Sequence, residues 1–359
     1  MKKGMLIFLL LCALTIPVSA KGVSELRNAL PSGARNMIDG EDLQTGADLT
    51  SGISKIIKTG KTKIRSIFYK RLRSCILILM VVLLCSMVGG FSQGLDEKRK
   101  FWNLMPMAGA ASIALISAGS VDALMGMGSQ ALGQINTFSK VLLPSLAAAA
   151  AAGGAVGTAA VQQAGAVFFA DLLLELITRL LLPMVYLYIG TLTAGAMLGQ
   201  NRLNVLSEAI RKIIVWVLSG ALLLFTFYLT AVHIISGTAD STAVRAAKAA
   251  ISGAIPVVGS ILADASETVL AGAGMLKNTI GIFGMLAVLA LCTVPFLEIG
   301  IQYLLYKLTA FFANMMGTEE LGRMIDGLGS AFGLILGMTG AGALLIFISI
   351  LSFVAAVTP

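Results

Sequence analysis

Seven long apolar stretches constrain this chain more than any other feature of its sequence. The hydrocarbon core of a bilayer is about 30 Å thick, and a helix crosses it with about 20 apolar residues. Because lipid offers no hydrogen bonds to the backbone, such stretches are expected to be helical. The sequence therefore predicts an all-α, multi-pass membrane protein. The stretches are residues 74–91, 104–125, 137–160, 166–199, 213–236, 279–314 and 331–356.

The composition agrees with burial in a membrane. Of the 359 residues, 57% are hydrophobic and 12% are charged, and the mean hydropathy is +0.91, whereas soluble domains carry about 25% charged residues. The net charge of +8 comes from short loops and from one block beside the first apolar stretch. Lipid headgroups and the positive-inside bias explain such charges. The sequence therefore predicts membrane lipids, and not nucleic acid, as partners.

Two of the stretches, 166–199 and 279–314, are longer than one crossing requires, and each has a proline near its middle. These prolines, Pro183 and Pro295, lie about 112 residues apart. Each stretch is either one bent span or a pair of short spans, which gives seven to nine membrane segments. Paired interrupted segments often mark the working site of a transporter, although chance similarity between apolar runs also explains them.

The N-terminal part of the chain is predicted to lie outside the membrane. Residues 1–20 resemble a secretory signal peptide, with a basic start, an apolar stretch and small residues at the end; an uncleaved anchor is the alternative. Residues 21–73 form an external arm that ends in a basic amphipathic helix. Its position opposes the positive-inside rule, and a contact with anionic lipid or an acidic partner would reconcile it. Residues 74–359 form the multi-pass domain.

One segment of that domain, Thr238 to Asn278, interleaves charges with small residues. Pro256 lacks a backbone N–H and disfavours helix at the residue before it, so two helical arms should meet at a break that ends at Gly259. An arm of about a dozen residues is about 18 Å long, which is too short to cross the bilayer. The sequence predicts a re-entrant or interfacial helical hairpin over 238–278.

The charges of this hairpin are arranged symmetrically about the break. Arg245 and Lys248 lie eleven and eight residues before the proline, and Asp264 and Glu267 lie eight and eleven residues after it. Folding at the break would place Lys248 opposite Asp264 and Arg245 opposite Glu267. The hairpin is therefore the candidate functional segment. Two amphipathic helices whose charges face water are the alternative.

Five further charges lie inside the two long apolar stretches. Intramembrane charges are costly and usually face a partner or a water-filled path. Asp171, Glu175 and Arg179 share one helical face, and a pair between Glu175 and Arg179 within one helix is the simpler interpretation. Glu298 and Lys307 are expected either to pair in the same way or to face another segment.

Small residues line one face of the last apolar stretch. Gly329, Gly333 and Gly337 recur every four residues, and such stripes let helix backbones approach closely in lipid. They indicate helix packing inside the chain, or contacts between copies of the chain in a homo-oligomer.

No catalytic constellation is found in the sequence. The single histidine, His233, lies in an apolar stretch, and the four cysteines have no spacing typical of a metal or disulfide site. Hydrolytic motifs are absent as well. We therefore expect no catalytic residues, no cofactor and no metal.

Four runs in and beside the hairpin resemble one known family. They are RAAK at 245–248, IPVVG at 255–259, DASETV at 264–269 and LKNTIG at 276–281, and they resemble the stage III sporulation protein AE family of endospore-forming bacteria. The resemblance is most specific over 240–315. It implies a multi-pass protein of the mother-cell membrane around the forespore, within a channel or secretion-like complex. It also implies a separate ATPase and ring-forming proteins as partners.

The preferred interpretation is a non-enzymatic membrane subunit of that sporulation complex. A self-contained secondary permease is an alternative, favoured by the two proline-interrupted stretches and the intramembrane charges. A membrane scaffold for ring-forming partners is a third possibility.

Overall fold

The computed structural model describes residues 26–38, 49–92, 104–199, 201–254, 259–316 and 318–355. All the regular secondary structure in these ranges is helical. The all-α prediction is therefore confirmed. The elements are α1 (Ser32–Ile38), α2 (Leu49–Ser92), α3 (Leu104–Ala152), α4 (Val156–Leu176), a π turn (Ile177–Leu181), α5 (Leu182–Leu198), α6 (Asn201–Ala254), α7 (Gly259–Met315) and α8 (Glu319–Ala355).

Six helical segments in the described ranges are long and apolar enough to cross a membrane. The multi-pass prediction is thus confirmed, but six segments replace the seven to nine expected. The stretches 104–125 and 137–160 begin in one uninterrupted helix, α3, because the polar residues between them are compatible with helix. Each proline-containing stretch is also one continuous segment and not a pair of short spans.

The two expected proline interruptions differ in structure. Just before Pro183 the helix widens into the π turn, and α5 continues from it with Pro183 in its first turn. A π turn accommodates a proline because it relieves the clash between the ring and the carbonyl four residues earlier. Pro295, in contrast, lies inside α7.

The centre of the bundle is the antiparallel pair formed by α7 and α8. Close contact between them depends on small residues: Gly329 packs against Tyr306, and Gly333 packs against Tyr303. Gly337 is turned away from α7, and a Cβ at this position would lie 3.9 Å from Leu218 of α6. Two of the three glycines of the predicted stripe therefore lie where α7 and α8 meet.

Helix α2 runs parallel to α7. Its N-terminal half packs through Gly52 against Leu286, and near its C-terminal end the Ser86 hydroxyl donates a 2.8 Å hydrogen bond to the Met316 carbonyl. The basic segment 55–73 and the first apolar stretch thus belong to one 44-residue helix. The expected boundary after residue 73 is not a break in the helix.

The predicted hairpin coincides with the ends of two long helices. Helix α6 continues to Ala254, and α7 begins at Gly259. The two arms are thus extensions of membrane-spanning helices and not separate short ones. Pro256 and the side chains of the four hairpin charges lie outside the described residues. The pairing of Arg245 with Glu267 and of Lys248 with Asp264 stays a prediction.

Candidate functional site

The most deeply placed ion pair of the described residues joins α2 to α7. Arg71 Nη2 lies 2.5 Å from Glu298 Oε2, and the two side chains are only 11% and 18% exposed. Glu298 therefore faces another segment, which was one of the two alternatives. Arg71 was expected in an external arm, but its side chain turns towards the interior of the bundle. Desolvated charges of this kind are stable only when they are paired.

A line of polar side chains continues from this pair along one face of α7. Gln302 lies one turn beyond Glu298, is fully buried, and neither of its amide atoms forms a well-aligned hydrogen bond with a described residue. One turn further, the Tyr306 hydroxyl donates a 3.0 Å hydrogen bond to Ser117 of α3. We call Arg71, Glu298, Gln302, Tyr306 and Ser117 the polar seam. It lies where α2, α3 and α7 meet.

A second pair joins α7 to α8. Lys307 Nζ lies 2.8 Å from Asp326 Oδ1 and donates a 2.9 Å hydrogen bond to the Ser330 hydroxyl. Lys307 therefore does not pair with Glu298, because the two side chains face different helices. Each of the two predicted charges has an oppositely charged partner on another helix.

The three charges of the first proline-containing stretch take part in two ion pairs. Asp171 Oδ1 lies 2.8 Å from Lys140 Nζ and accepts a 2.8 Å hydrogen bond from the Asn136 amide, which ties α4 to α3. Glu175 and Arg179 form a 3.1 Å pair within one helix, and both are exposed. The simpler interpretation of that pair is therefore the one observed.

One contact between helices, made by Asp240, is not predicted from the sequence. Its carboxylate accepts hydrogen bonds of 3.1 Å and 2.8 Å from the amides of Gly157 and Thr158 in the first turn of α4. The residue before that helix, Ala155, has no side-chain acceptor, so α6 supplies the cap. No sequence signal points to it, because capping residues are normally sought beside the helix that they cap.

The pKa of Asp240 records these contacts. Partial burial of the carboxyl raises its pKa, but the hydrogen bonds from Thr158 and from the Gly157 amide lower it by more, so that the pKa lies below its ordinary value. The carboxylate is thus held in its charged form at the positive end of the α4 dipole.

These contacts indicate what the arrangement does chemically. Three ion pairs each join two helices, and together they connect α2 to α7, α7 to α8 and α3 to α4. Among the described residues, no group of three or more His, Cys, Asp or Glu side chains is placed to hold a metal ion. Of the five predicted intramembrane charges, three therefore join neighbouring helices, namely Asp171, Glu298 and Lys307.

One known protein family matches most of this chain. A family described as stage III sporulation protein AE matches residues 41–357. The chain belongs to the stage III sporulation protein AE family. It is a sporulation protein with several membrane-spanning helices, and the resemblance of the hairpin segment is confirmed over nearly the whole chain.

The chain is also similar to stage III sporulation protein AE of Bacillus subtilis (strain 168), with 24% identity over 205 residues. The match covers 57% of this chain and 51% of the relative, so it spans about half of the relative's length. No solved structure matches the chain.

Proposed function

We propose that the chain is a non-enzymatic, integral membrane subunit of a multi-protein channel or secretion-like complex that links the mother cell and the forespore. It lies in the mother-cell membrane around the forespore. The observation that carries the proposal is the family match over residues 41–357. The six apolar helices provide the membrane-embedded part that such a subunit needs.

The proposed partners come from the family resemblance. A separate ATPase supplies the energy for transport, and ring-forming proteins complete the assembly. The sequence agrees with this division of labour. Gly60, Lys61 and Thr62 imitate the end of a phosphate-binding loop, but the leading glycine of such a loop is replaced by Lys55. The ion pairs between helices support a subunit whose charges maintain its own packing.

Co-purification tests this proposal. The tagged full-length chain is isolated in mild detergent from sporulating cells and from vegetative cells, and the bound proteins are identified by mass spectrometry. We expect an ATPase and ring-forming proteins in the first sample and not in the second. Recovery of the chain alone from sporulating cells, under conditions that preserve other membrane complexes, would contradict the proposal.

A secondary permease is the second candidate, and the π turn before Pro183 favours it. Irregular helical turns of this type occur frequently at functional sites. Purified protein in liposomes distinguishes the two functions. Solute flux driven by an ion gradient, with no other protein present, would establish the permease and exclude the obligatory subunit.

A further inference from the structure

The outer surface of the first half of α2 is strongly basic. Seven of its eight Lys and Arg side chains are exposed, and only Arg71 turns inward to Glu298. No acidic residue occurs anywhere in this helix. We call the exposed set the cationic face. It consists of Lys55, Lys58, Lys61, Lys63, Arg65, Lys70 and Arg73.

The depth of the cationic face in the bundle follows first from the contacts between α2 and α7. Gly52 packs against Leu286, and Gly60 packs against Thr293. The cationic face therefore lies beside the part of α7 that begins near Leu286 and extends to the Glu298 partner of Arg71. That part belongs to the segment of α7 that is long and apolar enough to cross a membrane.

Contacts between α7 and α8 show which part of α8 lies at the same depth as the cationic face. Phe296 of α7 packs against Gly340, and Gly281 packs against Val354. Because the two helices are antiparallel, the α7 residues beside the cationic face lie level with the α8 residues between Gly340 and Val354. Helix α4 lies beside this part of α8, because the Gln162 amide donates a 2.9 Å hydrogen bond to the Ser352 hydroxyl.

Helix α6 lies at this level on the opposite side of the bundle. The Tyr228 hydroxyl donates a 2.8 Å hydrogen bond to the Val161 carbonyl of α4. The neighbouring side chains of α6 point outward and are apolar: Leu224 is 66% exposed and Phe227 is 74% exposed. This side of the bundle is suited to lipid chains, whereas at the same level the α2 side exposes cations.

The two sides of the bundle therefore need different surroundings. Exposed cations are costly in hydrocarbon, and charged side chains inside membranes usually face a water-filled cavity or pathway. We propose that the cationic face borders a water-filled passage that holds anions, at a depth where the outer face of α6 contacts lipid chains. Neighbouring subunits close the far side of the passage. The proposal rests on the proposed function, since a complex must supply those neighbours.

Two other coverings fit the geometry less well. Anionic headgroups lie at the membrane surface, and the level of Leu224 and Phe227 is suited to hydrocarbon. An acidic protein segment packed tightly on the face would have to bring several carboxylates to this depth, at a cost similar to that of the cations. Water with mobile anions requires no matching set of fixed charges, and rings of Lys and Arg line anion pores.

Thiol labelling in native membranes tests the proposal. Single cysteines are introduced as Lys58→Cys on the cationic face and Leu224→Cys on α6 as the matched control, in full-length protein whose native cysteines are replaced by alanine. Only variants that still support sporulation are used. Membranes from sporulating cells are treated with membrane-impermeant methanethiosulfonates, one anionic and one cationic. We expect position 58 to react at least tenfold faster than position 224, and faster with the anionic reagent.

The neighbouring cations should cause that preference. Adding Lys55→Gln and Lys61→Gln to the Lys58→Cys variant should reduce the ratio of anionic to cationic labelling rates several-fold. Equal rates at positions 58 and 224 would overturn the proposal, because the two sides would then share one environment. A preference for the cationic reagent would overturn it in favour of anionic headgroups, and no reaction at position 58 would overturn it in favour of a protein covering. Co-purification of partners is independent of these rates, so failure of the passage leaves the proposed subunit function standing.

Discussion

The pair between Arg71 and Glu298 allows a quantitative prediction. Glu298→Gln keeps the size of the side chain but removes the charge, which leaves the Arg71 guanidinium in the interior without its anionic partner. Both side chains are less than one fifth exposed, so screening by solvent is weak. Removal of one member of a buried pair costs about 3–5 kcal/mol. That cost is a large part of the free energy of unfolding of a typical protein, which is about 5–15 kcal/mol.

A matched control is provided by the pair between Glu175 and Arg179. Its side chains are 57% and 80% exposed, and such pairs contribute about 0–1 kcal/mol. Arg179→Gln should therefore have little effect. Purified variants in nanodiscs are heated, and the temperature at which half of the protein loses its folded, monodisperse form is measured. We expect a clear decrease for Glu298→Gln and almost none for Arg179→Gln.

Charge exchange at the buried pair completes the test. Arg71→Glu and Glu298→Arg together should be more stable than either single variant, since the opposite charges are still adjacent. If the exchange is no better than the single variants, or if Glu298→Gln costs no more than Arg179→Gln, the pair does not hold α2 against α7 as described.

Three further predictions concern other contacts. Asp240→Ala should destabilise the protein by about 0.5–2 kcal/mol, because it removes the cap of α4. Since the folded-state pKa of Asp240 is lowered, the difference in unfolding free energy from the wild type should be complete above a pH of about 4 and should disappear as the pH falls through that lowered pKa. Denaturant titrations at several pH values measure this difference. Gly329→Leu should destabilise the protein by about 1–3 kcal/mol, since Gly329 packs against α7. Gly119→Leu is the control and should not destabilise it, because no neighbour lies within 4 Å of a Cβ at Gly119. The thermal stabilities of the two variants are compared in detergent. Lys248→Asp should impair sporulation and Asp264→Lys in the same chain should restore part of it, and a double variant no better than the singles would count against the hairpin pairing.

The helices of this chain are easier to predict from its sequence than their contacts. Apolar length identifies a membrane helix without knowledge of its neighbours, and the pair between Glu175 and Arg179 follows from spacing along one helix. The partner of Glu298 lies 227 residues away, and no periodicity within one segment can identify it. Because the residues around Arg71 in the sequence are basic, they predict that Arg71 lies outside the membrane. In the structure, its side chain lies on the side of α2 that faces the bundle.

The number of segments is overestimated from sequence for a related reason. Polar residues such as Asn136 interrupt an apolar stretch, and in a single sequence a loop and a polar helical turn are difficult to distinguish. In the fold, Asn136 is inside α3 and donates to Asp171 of α4. Polar residues within a membrane helix thus mark a contact between helices and not the end of one.

The π turn at Ile177–Leu181 also sets the rotational phase of the segment that follows it. A π turn contains about one residue more than an α-helical turn, and one residue corresponds to a rotation of about 100° in an α-helix. With this added rotation, Tyr188 donates a hydrogen bond to the Gly327 carbonyl of α8, and Leu192 packs against the same glycine. Removing one residue from the turn would rotate both side chains away from α8. The face that α5 presents to the bundle is therefore determined upstream of α5 itself.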